Sequence, residues 1–118
     1  MFQGMKQPAP TTTPTLRDVY TVSRLNREAK AVLEGGFPPL WIEGEISNLS
    51  RPVSGHVYFT LKDSGAALRC VIWKSSALRI RLPLQNGMAI EAHGAISLYE
   101  RDGVYQLYID TLRSAGEG

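Results

Sequence analysis

The stretch SGHVYFTLKDSGAALRCVIWK, residues 54–74, decides the fold of this chain. Apolar residues recur at every second position on both sides of the DSG triplet at 63–65. A period of two predicts half-buried β-strands, here over 56–62 and 66–74, and the triplet predicts a tight hairpin turn between them. The side chains expected in the core are Val57, Phe59, Leu61, Leu68, Cys70 and Ile72. Those expected on the opposite face are His56, Tyr58, Thr60, Lys62, Arg69, Val71 and Trp73.

Further strands lie on both sides of this hairpin. Upstream, residues 40–47 alternate between apolar and polar side chains. Downstream, 88–99 and 104–112 also alternate, and the turn sequence RDG at 101–103 predicts a second hairpin between them. Gly94 interrupts the first of these two strands and predicts a bend there. The sequence therefore predicts five strands.

Two helical segments complete the pattern. The first has apolar residues at helical spacing, namely Val22, Leu25, Ala29, Val32 and Leu33. Thr21 and Ser23 are candidate N-caps, and the GG and PP pairs between 35 and 39 end the helix. Such an amphipathic helix is expected to dock its apolar side on its own domain. Residues 75–81 predict a short helical connection that Pro83 limits.

The order of these elements predicts a mainly β fold. A helix, three strands, a helical connector and two strands are typical of the OB-fold, a small, partly open, five-stranded Greek-key barrel. An SH3-like barrel would have shorter strands and no connector after the third. With 118 residues the chain fits one domain, which we place at 16–113. Residues 1–15, rich in Thr and Pro, are expected to be a disordered tail that starts with a remnant of a cleavable tag.

Cysteine content and hydropathy indicate the compartment. Cys70 is the single cysteine, so no intramolecular disulfide can form. The sequence has neither a signal peptide nor an apolar run that is long enough to span a membrane. We therefore expect a cytoplasmic protein without membrane contact.

Charge is distributed unevenly along the chain. The formal net charge is only +2, but six basic residues between positions 48 and 81 face a single acidic one. The rest of the chain is slightly acidic. A concentration of cations in one part of a fold favours binding of a polyanion, although a solvated basic face gives the same pattern.

Signatures of catalysis are missing from the sequence. There is no phosphate-binding loop and no zinc-binding spacing of Cys and His. His56 and His93 lie on separate predicted strands without a nearby nucleophile, and His93 is interpreted as structural. Glu43 and Glu45 share a strand face and could jointly hold a divalent metal, but pairing with Arg69 across strands is the favoured interpretation. We predict no catalytic residue, no metal and no cofactor.

Binding of single-stranded nucleic acid is the predicted function. An OB-fold binds its ligand on strands two and three and on the loops that join strands one to two and four to five. Cations there can follow phosphates, and flat side chains can stack on bases. The predicted contact residues are Asn48, Arg51, His56, Tyr58, Lys62, Arg69, Trp73, Lys74 and Arg101. Tyr99 and Tyr105 flank the second hairpin and are further candidates, although Tyr105 alternates with core positions.

Four segments also carry a resemblance to a known family. WIEGEISN at 41–48 and SGHVYFTLKD at 54–63 closely resemble the large subunit of exodeoxyribonuclease VII, and so do LRCVIW at 68–73 and LYERDG at 98–103. The resemblance runs from Tyr20 to Gly118. It implies an OB domain that binds single-stranded DNA, which a catalytic region elsewhere in the large subunit degrades to oligonucleotides.

The resemblance also implies partners and a boundary. Large subunits of this family assemble with several small subunits through a helical segment beyond the OB domain, so the small subunit would be a partner through the missing part of the parent chain. Residues 114–118 would then begin a linker to the absent catalytic region. No catalytic residue of the family falls on this chain. The alternative is a scaffolding domain for subunit assembly that uses Trp41, Tyr58 and Trp73 as an apolar patch.

Overall fold

The computed structural model describes residues 18–115. This part of the chain forms two helices and five strands, in the predicted order. They are α1 (Val22–Gly36), β1 (Leu40–Ser50), β2 (Val57–Lys62), β3 (Ala67–Ile72), α2 (Lys74–Ala77), β4 (Ala89–Tyr99) and β5 (Val104–Ser114). The predicted tail at 1–15 lies outside the described residues, as does most of the linker predicted at 114–118.

The five strands form one closed barrel in the order β1-β2-β3-β5-β4. Neighbouring strands are antiparallel, except that β3 and β5 are parallel. The barrel closes because β1 pairs with both β2 and β4, and β3 pairs with β5. The mainly β, five-stranded barrel with a helix between β3 and β4 is thus confirmed, and only its expected partial opening is wrong.

The core follows the alternation of the sequence. Five of the six side chains predicted to face inward from the first hairpin are buried, and Leu68 is half-buried against them. Ile46 from β1, Ile90 and Ile96 from β4 and Leu107 from β5 complete the centre of the barrel. The hairpin turn forms as predicted, because the Asp63 carboxylate accepts hydrogen bonds from the amides of Gly65 and Ala66 at 2.8 and 2.9 Å.

Gly94 marks a bend in β4, as the sequence predicts. The pairing of β4 with β5 shifts register between His93 and Gly94. A Cβ atom at position 94 would lie 2.1 Å from the carbonyl oxygen of Tyr108, so the two backbones approach too closely for any side chain.

Helix α1 docks on β4, but not through the face that the sequence indicated. Val22, Leu25 and Val32 are 54–76% exposed, and only Leu33 of the predicted apolar stripe packs against the core. Polar contacts fix the helix instead: Asn26 donates a hydrogen bond to the backbone oxygen of Glu100 at 2.8 Å. Two more contacts hold its second half: Ser97 donates to the Glu34 carboxylate at 2.6 Å, and Lys30 pairs with Glu100 at 3.5 Å.

The connector after β3 is shorter than predicted. The helix covers Lys74–Ala77 rather than 75–81. Ile80, Leu82 and Leu84 instead pack against the core, and their spacing of two suits an extended chain across the end of the barrel. Neither described helix is long and apolar enough to cross a membrane.

Candidate nucleic-acid interface

The outer face of β2, β3, β5 and β4 is one continuous surface. Strand pairing aligns Tyr58, Val71, Tyr108 and Ala95 in one row across these four strands. The row beside it consists of Thr60, Arg69, Gln106 and Ser97. Helix α1 stands at the β4 side of the surface, where Glu34 holds Ser97. We call this surface, with its two rows, the open face.

An aromatic cluster lies at one end of the open face. The Trp73 and Tyr108 rings are nearly parallel, with centroids 5.6 Å apart and an interplanar angle of 21°. His56 meets Trp73 edge to face at 5.0 Å and lies 6.4 Å from Tyr58. Trp73 is nevertheless 47% exposed and Tyr58 37% exposed. The cluster therefore offers flat faces on which unpaired bases can stack.

Val71 lies beneath these aromatic side chains. The sequence placed it on the outer face, and its register between Tyr58 and Tyr108 agrees, yet only 3% of it is exposed. Its large neighbours on both sides explain this burial. The same crowding raises the pKa of Tyr108, with burial as the main cause and Tyr99 and Glu34 adding to it.

Two cavities divide the open face. The first, the loop-side cavity, has a volume of about 520 Å³. It is lined mainly by polar residues of the two rows, of the end of β1 and of the β4–β5 loop, among them Asn48, Ser50, Tyr58, Arg69, Asp102 and Gln106. The second, the helix-side cavity, has a volume of about 610 Å³ and lies between α1 and β4. Its lining includes Lys30, Phe37, Trp73, Tyr99, Arg101 and Tyr108.

A backbone irregularity brings Asn48 to the loop-side cavity. The pairing of β1 with β2 shifts register between Ser47 and Ser50, and Asn48 has a φ of +53°. Asn tolerates this left-handed conformation better than most residues. The strand thus bulges before the loop to β2, and Asn48 lines the cavity from the strand rather than from the loop, where the sequence placed it.

His56 and Lys74 join the loop to the aromatic cluster. The backbone amide of Lys74 donates to Nδ1 of His56 at 2.9 Å, which holds the ring beside Trp73. Gly55 has a φ of +92°, and a Cβ atom there would lie 3.0 Å from the aliphatic stem of Lys74. Glycine therefore permits both the turn and the close passage of this lysine.

Three cations around the open face are available for phosphates. Arg69 lines the loop-side cavity, Arg101 lines the helix-side cavity, and Lys74 is exposed beside His56. The ion pairs formed among residues 18–115 involve none of these three side chains. Single-stranded nucleic acid needs such cations together with stacking surfaces.

The remaining two predicted contact residues line neither cavity. Arg51 donates a hydrogen bond to the backbone oxygen of Leu84 at 3.4 Å, at the end of the barrel. Lys62 lies at the far end of β2, in register with Glu45 and Ala67. Their contact with nucleic acid stays a prediction.

A separate surface cluster forms around Trp41. The Arg113 guanidinium lies 4.1 Å from the Trp41 ring centroid and pairs with Glu91 at 2.6 Å. His93 lies 5.1 Å from Trp41, and its Nδ1 is 2.8 Å from the Asp110 carboxylate, which suits its structural interpretation. Trp41 thus contacts a different set of residues from Tyr58 and Trp73.

The two candidate carboxylates of β1 are not paired with Arg69. Glu43 lies opposite Glu91 and Glu45 opposite Lys62, because the neighbours of β1 are β4 and β2. Arg69 is on β3, which is not adjacent to β1, so the expected cross-strand pairing is wrong. Within the part of the chain that the structure describes, no three His, Cys, Asp or Glu side chains converge as metal ligands do.

Tyr108 is the main residue of the open face that sequence reasoning missed. Alternation with Leu107 and Ile109 puts it on the outer face, but its contact with Trp73 depends on the parallel pairing of β3 with β5. Lys30 and Phe37 were also missed, because only the docking of α1 brings them to the helix-side cavity. No local pattern in the sequence reveals either arrangement.

Comparisons with known proteins agree with this geometry. The chain is 55% identical over 102 residues to the exodeoxyribonuclease 7 large subunit of Pseudomonas aeruginosa strain LESB58 and 53% identical to that of Pseudomonas fluorescens strain SBW25. Each match covers 86% of this chain and 22% of the relative. The chain thus spans about a fifth of the length of these curated relatives.

Solved structures show the same fold at low sequence identity. A replication protein A heterotrimer bound to single-stranded DNA aligns with a TM-score of 0.56 and 12% identity, over 69% of this chain and 60% of that one. Asparaginyl-tRNA synthetase from Pyrococcus horikoshii aligns with a TM-score of 0.55 and 16% identity, over 75% and 22% of the two chains. The family described as "OB-fold nucleic acid binding domain" matches residues 20–113, nearly all of the barrel and α1. The chain belongs to this family of OB-fold nucleic-acid-binding domains.

Proposed function

We propose that this chain is the single-stranded DNA-binding domain of an exodeoxyribonuclease VII large subunit. The observation that carries the proposal is the open face, where Trp73, Tyr108 and Tyr58 offer stacking surfaces beside Arg69 and Lys74. The high sequence identity to large subunits of this enzyme supports the assignment of the domain to it.

The domain holds single-stranded DNA, and hydrolysis takes place in a part of the large subunit outside this chain. The relatives are several times longer than the matched region, which leaves ample length for a catalytic region. Bases stack on the aromatic cluster while phosphates follow the cations, a mode that tolerates any base sequence and suits a nuclease without sequence preference. The small subunit of the enzyme is the expected protein partner, through that other region, and the setting is DNA repair in the cytoplasm.

The test compares two tryptophans of nearly equal exposure. Trp73 is 47% and Trp41 45% exposed, but only Trp73 lies on the open face. We expect Trp73→Ala to weaken binding of single-stranded DNA by about 1–3 kcal/mol, the value of one stacked base, and Trp41→Ala to leave it unchanged. Fluorescence anisotropy with single-stranded DNA, duplex DNA and RNA measures affinity and preference, and circular dichroism checks that both variants fold.

Equal affinities for the wild-type chain and both variants would place the binding site elsewhere. Absence of binding by the wild-type chain at low salt would overturn the function itself. A loss in Trp41→Ala that exceeds the loss in Trp73→Ala would move the interface to the Trp41 cluster.

A further inference from the structure

The helix-side cavity is a second aromatic site that extends past the usual OB-fold ligand surface. That surface consists of strands two and three and two loops; the cavity shares the β4–β5 loop with it at Arg101 and continues between α1 and β4. Tyr99 is 44% exposed and Phe37 48% exposed, and Trp73 and Tyr108 extend into the same space. Its volume of about 610 Å³ is within the range of ligand pockets.

The two cavities share one floor. The row that contains Tyr58 and Val71 continues through Tyr108 to Ala95, which lines the helix-side cavity. The stacked pair Trp73 and Tyr108 contributes to this floor from the side of β3 and β5. A strand that leaves the loop-side cavity therefore reaches α1 without leaving the open face.

Charges in the helix-side cavity indicate which part of the nucleotide enters. The two carboxylates are both engaged, Glu34 by Ser97 at 2.6 Å and Glu100 by Lys30 at 3.5 Å. They would still repel a phosphate that entered the cavity. Arg101 is exposed on the hairpin between β4 and β5, where a phosphate can approach it from solvent. This arrangement suits aromatic bases inside and the sugar-phosphate backbone outside.

We propose that the helix-side cavity binds one or more unpaired nucleobases of the same strand, with stacking on Tyr99 and Phe37. The proposal rests on the function given above and extends the strand from the loop-side cavity across β3 and β5 to α1. A short oligonucleotide fills the loop-side cavity and the aromatic cluster, whereas a longer one also occupies the helix-side cavity.

The experiment exploits two tyrosines that flank the same hairpin on opposite faces. Tyr99 lines the helix-side cavity. Tyr105, the other candidate from the sequence, is 48% exposed but lines neither cavity of the open face, and lies instead in a separate groove with Ile42 and Leu68. Tyr99→Ala, Tyr99→Phe and Tyr105→Ala are titrated with oligothymidines of about 4 and about 12 nucleotides, which span the site sizes of a single OB-fold. Thermal unfolding checks that each variant is folded.

We expect Tyr99→Ala to weaken binding of the longer oligonucleotide roughly 5- to 100-fold and to leave the shorter one unchanged. Tyr99→Phe keeps the stacking ring and should bind like the wild-type chain, and Tyr105→Ala should bind both lengths normally. Photocrosslinking of a 5-iododeoxyuridine oligonucleotide of the longer length should modify the peptide that contains Tyr99 or the one that contains Phe37.

Three outcomes would overturn the proposal. The first is normal binding of the longer oligonucleotide by Tyr99→Ala while Trp73→Ala is impaired, which would leave the proposed function intact. The second is an equal loss for both lengths in Tyr99→Ala. The third is crosslinking confined to residues of the loop-side cavity. Absence of binding by the wild-type chain would overturn the function together with this extension of it.

Discussion

At the scale of single residues, Cys70 is a free thiol that is almost completely buried. Its side chain points into the barrel and is only 2% exposed. Burial raises the pKa of the Cys70 thiol to about 12, so the folded protein holds it neutral through the whole physiological range. The thiol behaves as a small apolar side chain and not as a nucleophile.

This pKa shift predicts a loss of stability at high pH. In the unfolded chain the thiol has a pKa of about 8.5, so between that value and about 12 only the unfolded state loses the proton. The contribution of this pKa shift to the free energy of unfolding is complete below about pH 8.5. Above that pH it falls by about 1.4 kcal/mol per pH unit. From pH 8 to pH 10, the free energy of unfolding of the wild-type chain should therefore fall by about 2 kcal/mol more than that of Cys70→Ala. Urea unfolding at both pH values measures this, and equal decreases in the two proteins would contradict it.

Individual residues also show where sequence reasoning succeeds. Tyr58, Arg69 and Trp73 were predicted on one outer face, and they lie there because a period of two fixes the side on which a strand residue projects. Tyr108 was missed because its neighbour Trp73 is remote in sequence. The burial of Val71 was missed for the same reason, since side chains of two other strands cover it.

At the scale of secondary-structure elements, α1 is stabilised by its N-cap and by a few polar contacts. Its N-cap is Thr21, whose hydroxyl accepts a hydrogen bond from the amide of Arg24 at 3.1 Å. Tyr20 and Arg24 both donate hydrogen bonds to Glu28, which lowers the pKa of that carboxyl. Because few apolar contacts hold the helix, its stability depends on these local interactions.

Removal of the N-cap should loosen the first turn of α1. We expect Thr21→Ala to cost about 1 kcal/mol, because the amide of Arg24 loses its acceptor. Ser23, the other candidate N-cap, lies inside the helix, so Ser23→Ala serves as the control and should change stability by less than about 0.5 kcal/mol. Amide hydrogen exchange of the first turn of α1 distinguishes them, and faster exchange in Ser23→Ala than in Thr21→Ala would contradict the prediction.

The helix also shows what periodicity can and cannot predict. Spacing predicted its existence and its end near the GG pair, since both depend on nearby residues. The docking face was predicted wrongly, because Asn26 and Glu34 contact residues more than sixty positions away. The hydrophobic pattern indicates only which side of a helix could be buried. In α1, long-range polar contacts determine which side faces the barrel.

At the scale of the whole molecule, three basic side chains without an ion pair among the described residues lie around the open face. Arg69, Lys74 and Arg101 surround the open face without ion pairs to described residues, whereas Arg113 is paired with Glu91 beside Trp41. The uneven charge along the sequence predicted a binding surface in the middle of the chain. It could not predict that Arg51 is tied to the Leu84 backbone or that Lys62 lies at the far end of β2.

This distribution predicts how salt weakens binding. If three phosphates are neutralised, the logarithm of the binding constant should fall with the logarithm of salt concentration with a slope of about −2. Arg69→Ala should make the slope less steep by about 0.7, the value of one phosphate, and Arg113→Ala should leave it unchanged. Anisotropy titrations at several salt concentrations measure the three slopes. A slope near zero for the wild-type chain, or an equal change in both variants, would contradict the placement of the phosphates.

The parallel pairing of β3 with β5 has a consequence for the time at which the protein becomes functional during synthesis. Until β5 has left the ribosome, Tyr108 is absent, so Trp73 has no ring to stack on and Val71 has no neighbour on the β5 side. The barrel also stays open, because β3 has no partner there. Pairings of such long sequence separation form late in folding. The complete open face therefore arises in the same step that closes the barrel.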